Sequence, residues 1–512
     1  MIHRVLNAWE EHPLPMIMGL AILFRLLASI YAKGFGMVDD HFIVIEPAQT
    51  WLDGEPSEWL PGGPGNTGPS GFNLFYPGIH YTLFILFKWI GLTNPQGKML
   101  VVRLLHGAWS LITVWYGYKI AEKLDHKHSA RLVGLLLAIF WFMPWMSVRN
   151  LVEMTCVPCI VLGYWMILRN NTSGNKTWNC ILAGLFFALA FNIRPQSAFF
   201  PFGIGLILLF QGKWKELFTL TLSTLLVIVI IQGSIDTAIW GVPFVELIGY
   251  IKMCIAQRND YISLPWYNYI LTLSGMLIPP VSFFLIVGFA KTWKRLLIIF
   301  LPVMLFLVFH SYYPNKQERF IVPMIPLFII AGTIGWHDIF TNSRFWRQRK
   351  KLHHISWFVF WIVNTILLLI LTLTYSKRAR VEAMSYLSDY PDIRYILVID
   401  QDNSPELIPK FYLNQWPTNI SDGSRCQDAD TLLNLSIKNN RQMTPAFILF
   451  TGGSDIKALV AKARWYHPRI VYETTIHPGF IDRLLFRMNP KGNKNTTIYI
   501  YRNTEIIAQK KK

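Results

Sequence analysis

Apolar stretches of membrane-spanning length recur through most of this chain, and they constrain its fold more than any other feature. They run from Leu14 to Tyr375, and a helix that crosses a bilayer needs roughly 17–25 mostly apolar residues. The composition agrees, because 53% of the 512 residues are hydrophobic and only 15% are charged, against about 25% charged in average globular proteins. The pattern predicts a polytopic α-helical membrane protein with the lipid bilayer as its main surroundings.

The net charge of +18 raises nucleic acid as a partner, but the distribution of the basic residues argues against it. Lys and Arg gather in short loops between the apolar stretches, as expected for loops that stay in the cytoplasm. Loops richer in Asp, Glu, Pro and aromatic residues alternate with them. The basic loops are residues 119–131, 169–176, 213–215, 291–295 and 344–354, and the others are residues 33–76, 145–153, 194–197, 236–266 and 310–319.

This alternation sets the expected number of crossings. Two apolar stretches, residues 76–92 and 100–118, separate the first external loop from the next basic loop, although only one crossing fits between opposite faces. We predict that residues 76–92, which Lys88 and Trp89 interrupt, re-enter the membrane or lie along its interface. The chain then has about 11 transmembrane helices. The loop at residues 33–76 and the C-terminus are expected on the side opposite the cytoplasm.

After Tyr375 the composition changes to that of a water-soluble domain. Runs rich in β-branched and aromatic residues predict strands, and helix-like stretches such as residues 455–464 separate them. We therefore predict a transmembrane domain at residues 1–375 and a small C-terminal α/β soluble domain at residues 376–512. Gly452-Gly453 fits either a turn or a phosphate loop. The strands are expected at residues 395–400, 447–451, 470–475 and 497–501.

Ionisable residues at the predicted external ends of the apolar stretches carry the functional interpretation. A charge within the bilayer is costly and usually faces a cavity or a partner. Asp39, Asp40 and Glu46 begin the first external loop, and a positioned carboxylate is suited to general-base catalysis. A solvated loop end or a helix N-cap explains the same pattern without a catalytic role.

Arginines occupy the corresponding ends of later stretches: Arg103, Arg149, Arg194 and Arg319, with Lys316 beside the last. A guanidinium keeps its charge and offers a planar fork of donors that fits a phosphate. The set predicts a site that holds a lipid phosphate and stabilises it as a leaving group. Binding of ordinary lipid headgroups, or snorkelling of single arginines towards water, is the alternative.

An acidic residue and an aromatic segment complete the external set. Asp236 ends a long apolar stretch, and Trp266 and Tyr267 lie in the aromatic segment at residues 261–269. Aromatic rings gather at membrane interfaces, and they also cover the apolar face of sugars.

No grouping of His and Cys has the spacing of a zinc site. Cys156 and Cys159 form a CxxC without a second pair, which helix packing explains as well as metal or redox use. We expect no dedicated metal. The acidic pair is compatible with a divalent cation but does not require one.

Taken in order, these segments resemble the Alg9-like mannosyltransferases, glycosyltransferase family 22, which have the GT-C fold. Asp39, Asp40 and Glu46 match the spacing of the family's acidic pair and following Glu, and Arg194-Pro195 matches its Arg-Pro at a helix end. Residues 236–241 with residues 265–269 resemble a second family motif, Asp-Ser-x-x-Tyr-Gly followed by Pro-Trp-x-Tyr. Residues 315–326 resemble a third, His-Lys-Glu-x-Arg-Phe with following prolines.

The chain departs from the family pattern at several positions. Asn315 and Gln317 stand where the third motif has His and Glu, and Asp40 stands where the acidic pair has Glu. The family's Arg-Thr-Leu-Ser-Asn-x-x-Glu is shortened between Arg149 and Glu153. These departures indicate a divergent, bacterial-type member and favour a bacterial inner membrane, with the endoplasmic reticulum membrane as the alternative.

The resemblance implies transfer of a sugar, mannose above all, from a polyprenyl- or dolichyl-phosphate donor to a hydroxyl of a glycan or glycolipid acceptor, with inversion. It implies Asp39 as the general base with Asp40 tuning it. The rival classes are a flippase or transporter of lipid-linked glycans, which predicts internal repeats that are not evident, and a GT-C transferase that uses another sugar. The implied substrate-binding residues are Glu46, Arg103, Arg149, Glu153, Arg194, Asp236, Trp266, Tyr267, Lys316 and Arg319.

Overall fold

The computed structural model describes residues 9–37, 40–53, 60–61, 68–69, 71–169, 176–256, 263–400, 408–416, 418–422, 444–451, 456–490 and 495–507. Helices make up the chain as far as Thr372, and a mixed sheet with flanking helices follows. The α-helices are Pro13–Tyr31, Glu46–Leu52, Phe75–Trp89, Pro95–Leu124, Lys127–Ile139, Met143–Ser147, Val152–Thr155, Val157–Leu168, Lys176–Ile193, Phe199–Phe210, Trp214–Ile228, Ser234–Trp240, Val245–Ala256, Asn268–Met276, Val281–Lys291, Leu297–Tyr312, Ile325–Asn342, Arg344–Gln348, Lys350–Thr372, Arg378–Leu387, Ile456–Tyr466 and Phe480–Met488. Tighter or wider turns occupy Pro195–Ala198, Glu318–Met324 and Lys410–Tyr412 (3₁₀) and His41–Ile45 and Val229–Gly233 (π).

Within the described residues, six helical segments are long and apolar enough to cross a bilayer, and four shorter apolar helices accompany them. Residues 76–92 form the helix Phe75–Trp89, whose 15 residues fall short of a typical crossing. The prediction that it re-enters or lies at the interface, and the count of about 11 crossings, stay predictions. The six segments are Pro13–Tyr31, Pro95–Leu124, Lys176–Ile193, Trp214–Trp240, Glu318–Asn342 and Lys350–Thr372.

The outer faces of these helices are apolar, and charge within them is turned inwards. Leu225 and Phe358, on two of the spanning helices, are 54% and 67% exposed, which suits contact with lipid chains. Arg25 interrupts the first helix but is buried, and its guanidinium donates to Ser110 Oγ at 2.6 Å and to the Ala138 carbonyl at 3.0 Å. The cation thus faces protein partners, as intramembrane charges usually do.

The helix that continues from Glu318–Met324 into Ile325–Asn342 is the most buried of the spanning segments. It packs closely against Val281–Lys291, and glycines allow the approach. A Cβ placed on Gly288 would collide with the Gly332 carbonyl oxygen, and one on Gly335 would collide with the Gly288 carbonyl. Small residues at such crossings let helix backbones come together in a membrane.

The C-terminal part forms a five-stranded sheet in the order β2-β1-β3-β5-β4. β1 pairs in parallel with β2 and β3, whereas β5 runs antiparallel to β3 and β4. The four predicted strands are confirmed: β1 and β3 have the predicted bounds, and the ends of β4 and β5 differ by one or two residues. β2 was not predicted. The strands are β1 Tyr395–Asp400, β2 Asn419–Asp422, β3 Phe447–Thr451, β4 Ile470–Ile476 and β5 Ile498–Asn503.

Apolar residues on one face of this sheet form its core with the helix Ile456–Tyr466. Glu473 on β4 accepts hydrogen bonds from Tyr390, from Tyr386 at 2.9 Å and from Arg502 at 2.8 Å. Burial alone would raise the pKa of Glu473, but the hydrogen bonds from Tyr390, Arg502 and Tyr386 outweigh it, so that its pKa lies below the usual value. Gly452-Gly453 lies outside the described residues.

The chain divides into two compact units, both discontinuous in sequence. The first consists of Met1–Ile30, Glu58–Ile79 and Leu100–Leu373, and the second of Tyr31–Ser57, His80–Met99 and Thr374–Lys512. The change at Leu373 lies two residues before the boundary expected at Tyr375. The acidic segment after the first helix groups with the C-terminal sheet, which composition along the chain did not indicate.

Candidate active site

A fully buried carboxylate in the first compact unit brings two of the predicted arginines together. Glu153 has no exposed surface, and its Oε1 lies 3.2 Å from Arg194 Nη2 and 3.8 Å from Arg319 Nε. Two guanidinium groups therefore share this one carboxylate. Such a cluster is suited to an anion.

Local sequence explains how these side chains come to lie together. Arg194 is extended (φ −143°, ψ 102°) between the helix Lys176–Ile193 and the turn Pro195–Ala198. A residue that precedes proline is disfavoured in the α conformation, so Arg194-Pro195 ends the helix there. Arg319 lies in the turn Glu318–Met324, which Pro323 keeps from being regular α-helix.

Phe320 and its neighbours shape the surroundings of the two arginines. The guanidinium carbons of Arg194 and Arg319 lie 5.1 Å and 5.7 Å from the centroid of the Phe320 ring. Gln317 Oε1 accepts a hydrogen bond from Arg319 Nε at 2.9 Å. Lys316 is buried, and its ammonium donates to the Tyr313 carbonyl at 2.7 Å. The segment that resembles the family's third motif thus supplies Lys316, Arg319 and the Phe320 ring, which lies near both Arg194 and Arg319.

The aromatic segment meets the same motif. Ser263 pairs with Asn315 in an isolated antiparallel bridge, and the Tyr269 hydroxyl donates to the Gln317 carbonyl at 3.2 Å. Trp266 and Tyr267, between them, are 62% and 46% exposed, with ring centroids 5.8 Å apart. Their rings are therefore accessible to a ligand or to lipid.

Asp236 lies in a hydrogen-bond network of its own. It has no exposed surface, and its carboxylate accepts from Gln232 Nε2 at 2.8 Å and from the Glu246 amide at 3.1 Å. Gln232 in turn accepts from Asn73, and Glu246 accepts from the amide of Gly71, both at 2.6 Å. The network holds Gly71 and Asn73, at the end of the loop at residues 33–76, a structural role that the sequence had not indicated for Asp236.

The other two arginines have separate surroundings. Arg103 Nε donates to the Ser29 carbonyl at 2.7 Å, and the guanidinium of Arg149 lies 4.6 Å from the Trp145 ring. Both arginines are at most 5% exposed. Their described contacts anchor helices in the first unit.

Sequence reasoning missed a chain of hydrogen-bonded side chains that includes Tyr76, His106 and Thr155. The Tyr76 hydroxyl lies 2.6 Å from His106 Nε2 and 3.1 Å from the hydroxyl of Thr155, two residues after Glu153. His106 Nδ1 lies 2.8 Å from the Val102 carbonyl. The sequence pointed to His106 only through its position three residues after Arg103, because residues i and i+3 lie on the same face of a helix.

The acidic segment belongs to the second unit. Asp39 lies outside the described residues, and Asp40 is 7% exposed just before the turn His41–Ile45. Glu46 Oε1 accepts a hydrogen bond from the Phe411 amide at 2.8 Å and lies 3.3 Å from His41 Nε2.

Aromatic rings enclose the histidine beside this carboxylate. His41 has no exposed surface and lies between Phe35 and Tyr412, whose ring centroids are 5.0 Å and 5.5 Å away. Glu46, expected to bind substrate, thus has partners within the protein that link the acidic segment to the segment Lys410–Tyr412.

One group of described residues has the spacing of a metal site: Asp125, His337 and Asp338. The guanidinium of Arg295 pairs with Asp125 at 2.8 Å and Asp338 at 2.5 Å, so these carboxylates already have a cation. The group is far from Arg319, because Ile325 and His337 alone are about 18 Å apart along their helix. Cys156 and Cys159 are buried free thiols.

Comparison with solved structures defines the class of protein. ArnT from Cupriavidus metallidurans bound to undecaprenyl phosphate aligns with a TM-score of 0.61 at 13% identity, covering 95% of this chain and 97% of that one. Its apo structure gives 0.62 over 97% and 98%. The chain is an integral membrane protein with the GT-C fold, and the predicted fold class is confirmed.

Comparison of sequences identifies the family. The profile described as the Alg9-like mannosyltransferase family matches residues 72–401, and the chain belongs to this family of glycosyltransferases. The match begins after the acidic segment, so the assignment of Asp39, Asp40 and Glu46 rests on the resemblance described above.

Several relatives carry names of the same kind. The chain is 22% identical over 409 residues to GPI mannosyltransferase 3 of Debaryomyces hansenii, covering 76% of this chain and 70% of that protein. It is 26% identical over 198 residues to the probable Dol-P-Man:Man(7)GlcNAc(2)-PP-Dol alpha-1,6-mannosyltransferase of Schizosaccharomyces pombe (38% and 35%), and 25% identical over 263 residues to mouse GPI alpha-1,2-mannosyltransferase 3 (50% and 47%). The last two matches span less than half of those proteins.

Proposed function

We propose that this enzyme transfers mannose from a polyprenyl- or dolichyl-phosphate donor to a hydroxyl of a glycan or glycolipid. The buried cluster of Arg194, Arg319 and Glu153 carries the proposal, because it holds two guanidinium groups, whose planar sets of donors suit a phosphate, beside one buried carboxylate. The family match supports mannose. The name of the fission yeast relative and the undecaprenyl phosphate bound to ArnT support a lipid-phosphate carrier.

In the proposed reaction the acceptor oxygen forms a bond to C1 of the sugar while the bond from C1 to the donor phosphate oxygen breaks. The acceptor proton passes to the carboxylate of Asp39, with Asp40 tuning it, and the lipid phosphate leaves with the electron pair. Arg194, Arg319 and Lys316 would stabilise the charge that develops on that phosphate. Attack from the face opposite the leaving group inverts the configuration, so that a β-linked donor gives an α-mannoside.

The test uses the purified full-length protein in detergent with radiolabelled dolichyl-phosphate mannose or undecaprenyl-phosphate mannose. We expect new glycosidic bonds. Of the variants Asp39→Asn and Asp40→Asn, the one that removes the general base should lose about 10²–10⁴-fold in rate. Glu122→Gln, which neutralises a carboxylate paired with Lys119, is the matched control. Unchanged transfer in both aspartate variants, with normal expression, would contradict the proposed mechanism.

The same assay separates an enzyme from a flippase. Detergent micelles have no sidedness, so a protein that only moves lipid-linked glycans across a bilayer would make no glycosidic bond in them. Replacing mannose by other sugars on the same carriers identifies the donor sugar. Transfer of another sugar in preference to mannose would contradict mannose as the donor sugar and leave only the type of reaction, glycosyl transfer from a lipid phosphate.

A further inference from the structure

A cavity of about 380 Å³ lies in the first compact unit, at the ends of helices away from the arginine cluster. Its wall is apolar and includes Ile204, Ile207 and Leu208. Lys176 on its rim begins the helix that ends at Ile193, which places this rim about 26 Å along the helix from Arg194. None of the predicted site residues lines the cavity.

The rim of the cavity carries four cations and one carboxylate: Lys176, Lys213, Lys294, Arg295 and Glu216. The carboxylate of Glu216 is paired with Lys176, and Arg295 is paired with two aspartates.

Two of these cations are not neutralised. Lys213 donates to the neutral amide of Gln211 at 2.7 Å, and Lys294 lies 4.6 Å from the Trp293 ring centroid. Within the described part of the chain, neither lysine lies within ion-pair distance of a carboxylate, and Glu216, which Lys213 attracts at longer range, is already paired with Lys176. They leave the rim with uncompensated positive charge.

Three helices also begin at this rim: Lys176–Ile193, Trp214–Ile228 and Leu297–Tyr312. Each helix start carries partial positive charge from its unpaired amides. The electrostatic preference for an anion therefore comes from the backbone as well as from the lysines.

Exposed aromatic residues beside the rim indicate that it lies at the level of a membrane interface. Phe210, Trp214 and Trp293 are 85%, 64% and 52% exposed there, and aromatic residues of this kind gather where lipid headgroups lie. The rim residues belong to the basic loops expected on the cytoplasmic face, or adjoin them. An apolar wall with a cationic rim at this level matches a molecule whose chains are apolar and whose head is anionic.

We infer that this cavity binds an anionic phospholipid, with the phosphate between Lys213 and Lys294 and the acyl chains against the apolar wall. Basic pockets between transmembrane helices on the cytoplasmic side recognise acidic headgroups. A soluble phosphate would satisfy the lysines but would leave the wall of Ile204, Ile207 and Leu208 without a partner. The site is separate from the proposed donor site and does not depend on the proposed function.

The test titrates the purified full-length protein in detergent with dioctanoyl phosphatidylglycerol, dioctanoyl phosphatidylcholine or inorganic phosphate, and follows Tm. We expect a saturable rise with phosphatidylglycerol alone. The double variant Lys213→Gln/Lys294→Gln should bind it about 30-fold more weakly, because each lysine contributes about 1 kcal/mol near a phosphate. The pair Lys213→Arg/Lys294→Arg keeps both charges and should retain binding.

Lys350→Gln/Lys351→Gln is the matched control, because it removes two exposed charges from another basic segment and should leave the affinity unchanged. An equal response to phosphatidylcholine would overturn the inference. So would the same response to inorganic phosphate, or an equal loss of affinity in the control and the cavity variant.

Discussion

Replacing Glu153 by glutamine tests the arginine cluster most directly. Glutamine has nearly the same size and shape, so the change removes charge without leaving a cavity. Arg194 and Arg319, whose guanidinium nitrogens lie 3.2 Å and 3.8 Å from the carboxylate, would then lose the negative charge that they share. Breaking a buried ion pair by removing one partner costs about 3–5 kcal/mol. We expect the free energy of unfolding to fall by about that amount.

Unfolding in mixed micelles of detergent and SDS, followed by tryptophan fluorescence, measures this difference. Glu122→Gln removes a partly exposed carboxylate paired with Lys119 at 2.9 Å and serves as the control. Exposed pairs contribute about 0–1 kcal/mol, so the control should unfold close to wild type. The double variant Glu153→Gln/Arg319→Gln restores the original net charge of the cluster and should be more stable than Glu153→Gln alone.

The same substitution separates positioning from binding. Without the shared carboxylate the guanidinium groups of Arg194 and Arg319 are no longer held in one geometry, and misplacement by about 1 Å can reduce rate by about 10². We expect kcat to fall by about that factor, while KM for the lipid-phosphate donor does not rise, because the phosphate meets more positive charge. An unchanged kcat, or stability losses that simply add in the double variant, would refute the reasoning.

Three further substitutions test other parts of the structure. Glu473→Gln should destabilise the C-terminal sheet by about 1.5–3 kcal/mol, because hydrogen bonds to a charged group are lost. Since the pKa of Glu473 is lowered in the folded protein, wild-type stability should hold above the ordinary Glu pKa and fall as pH drops through the folded value. Urea unfolding at a series of pH values should show this fall in the wild type and not in the variant. Gly288→Ala should abolish a monodisperse peak in size-exclusion chromatography, because its Cβ would meet the Gly332 carbonyl, whereas Gly19→Ala, with open space around it, should elute as wild type. Tyr412→Ala should lower Tm while Tyr412→Phe does not, since the ring stacks on His41 at 5.5 Å; equal Tm values would exclude a stabilising role for the stack.

Periodicity and composition predicted the helical membrane part and four of the five strands, because both depend on runs of apolar residues. They missed β2, Asn419–Asp422, which is polar and lies at the edge of the sheet with a single neighbouring strand. Among the helices of this part they gave bounds only for residues 455–464, and none for Arg378–Leu387 or Phe480–Met488. Short amphipathic segments leave little signal in composition.

The meeting of Arg194 and Arg319 followed from the alternation of loops, which placed their helix ends on one face. The choice of partner did not follow, because it depends on packing between distant helices. Glu153 and Asp236 were both expected at substrate, yet Glu153 joins the arginines and Asp236 joins Gln232 and the Glu246 amide. Sequence showed which polar residues lie near a membrane face, but not which of them bind one another.

The hydrogen bond from the Phe411 amide to Glu46 joins residues 365 positions apart, and this separation has a consequence for how the protein is made. At about 5–20 residues per second, synthesis of the intervening chain takes about 20–70 s. During that time the acidic segment has already left the ribosome, while the sheet that completes its compact unit does not yet exist. This segment is therefore translated long before it reaches its final structure. A nascent chain that stops short of Phe411 leaves Glu46 without the amide that donates to it.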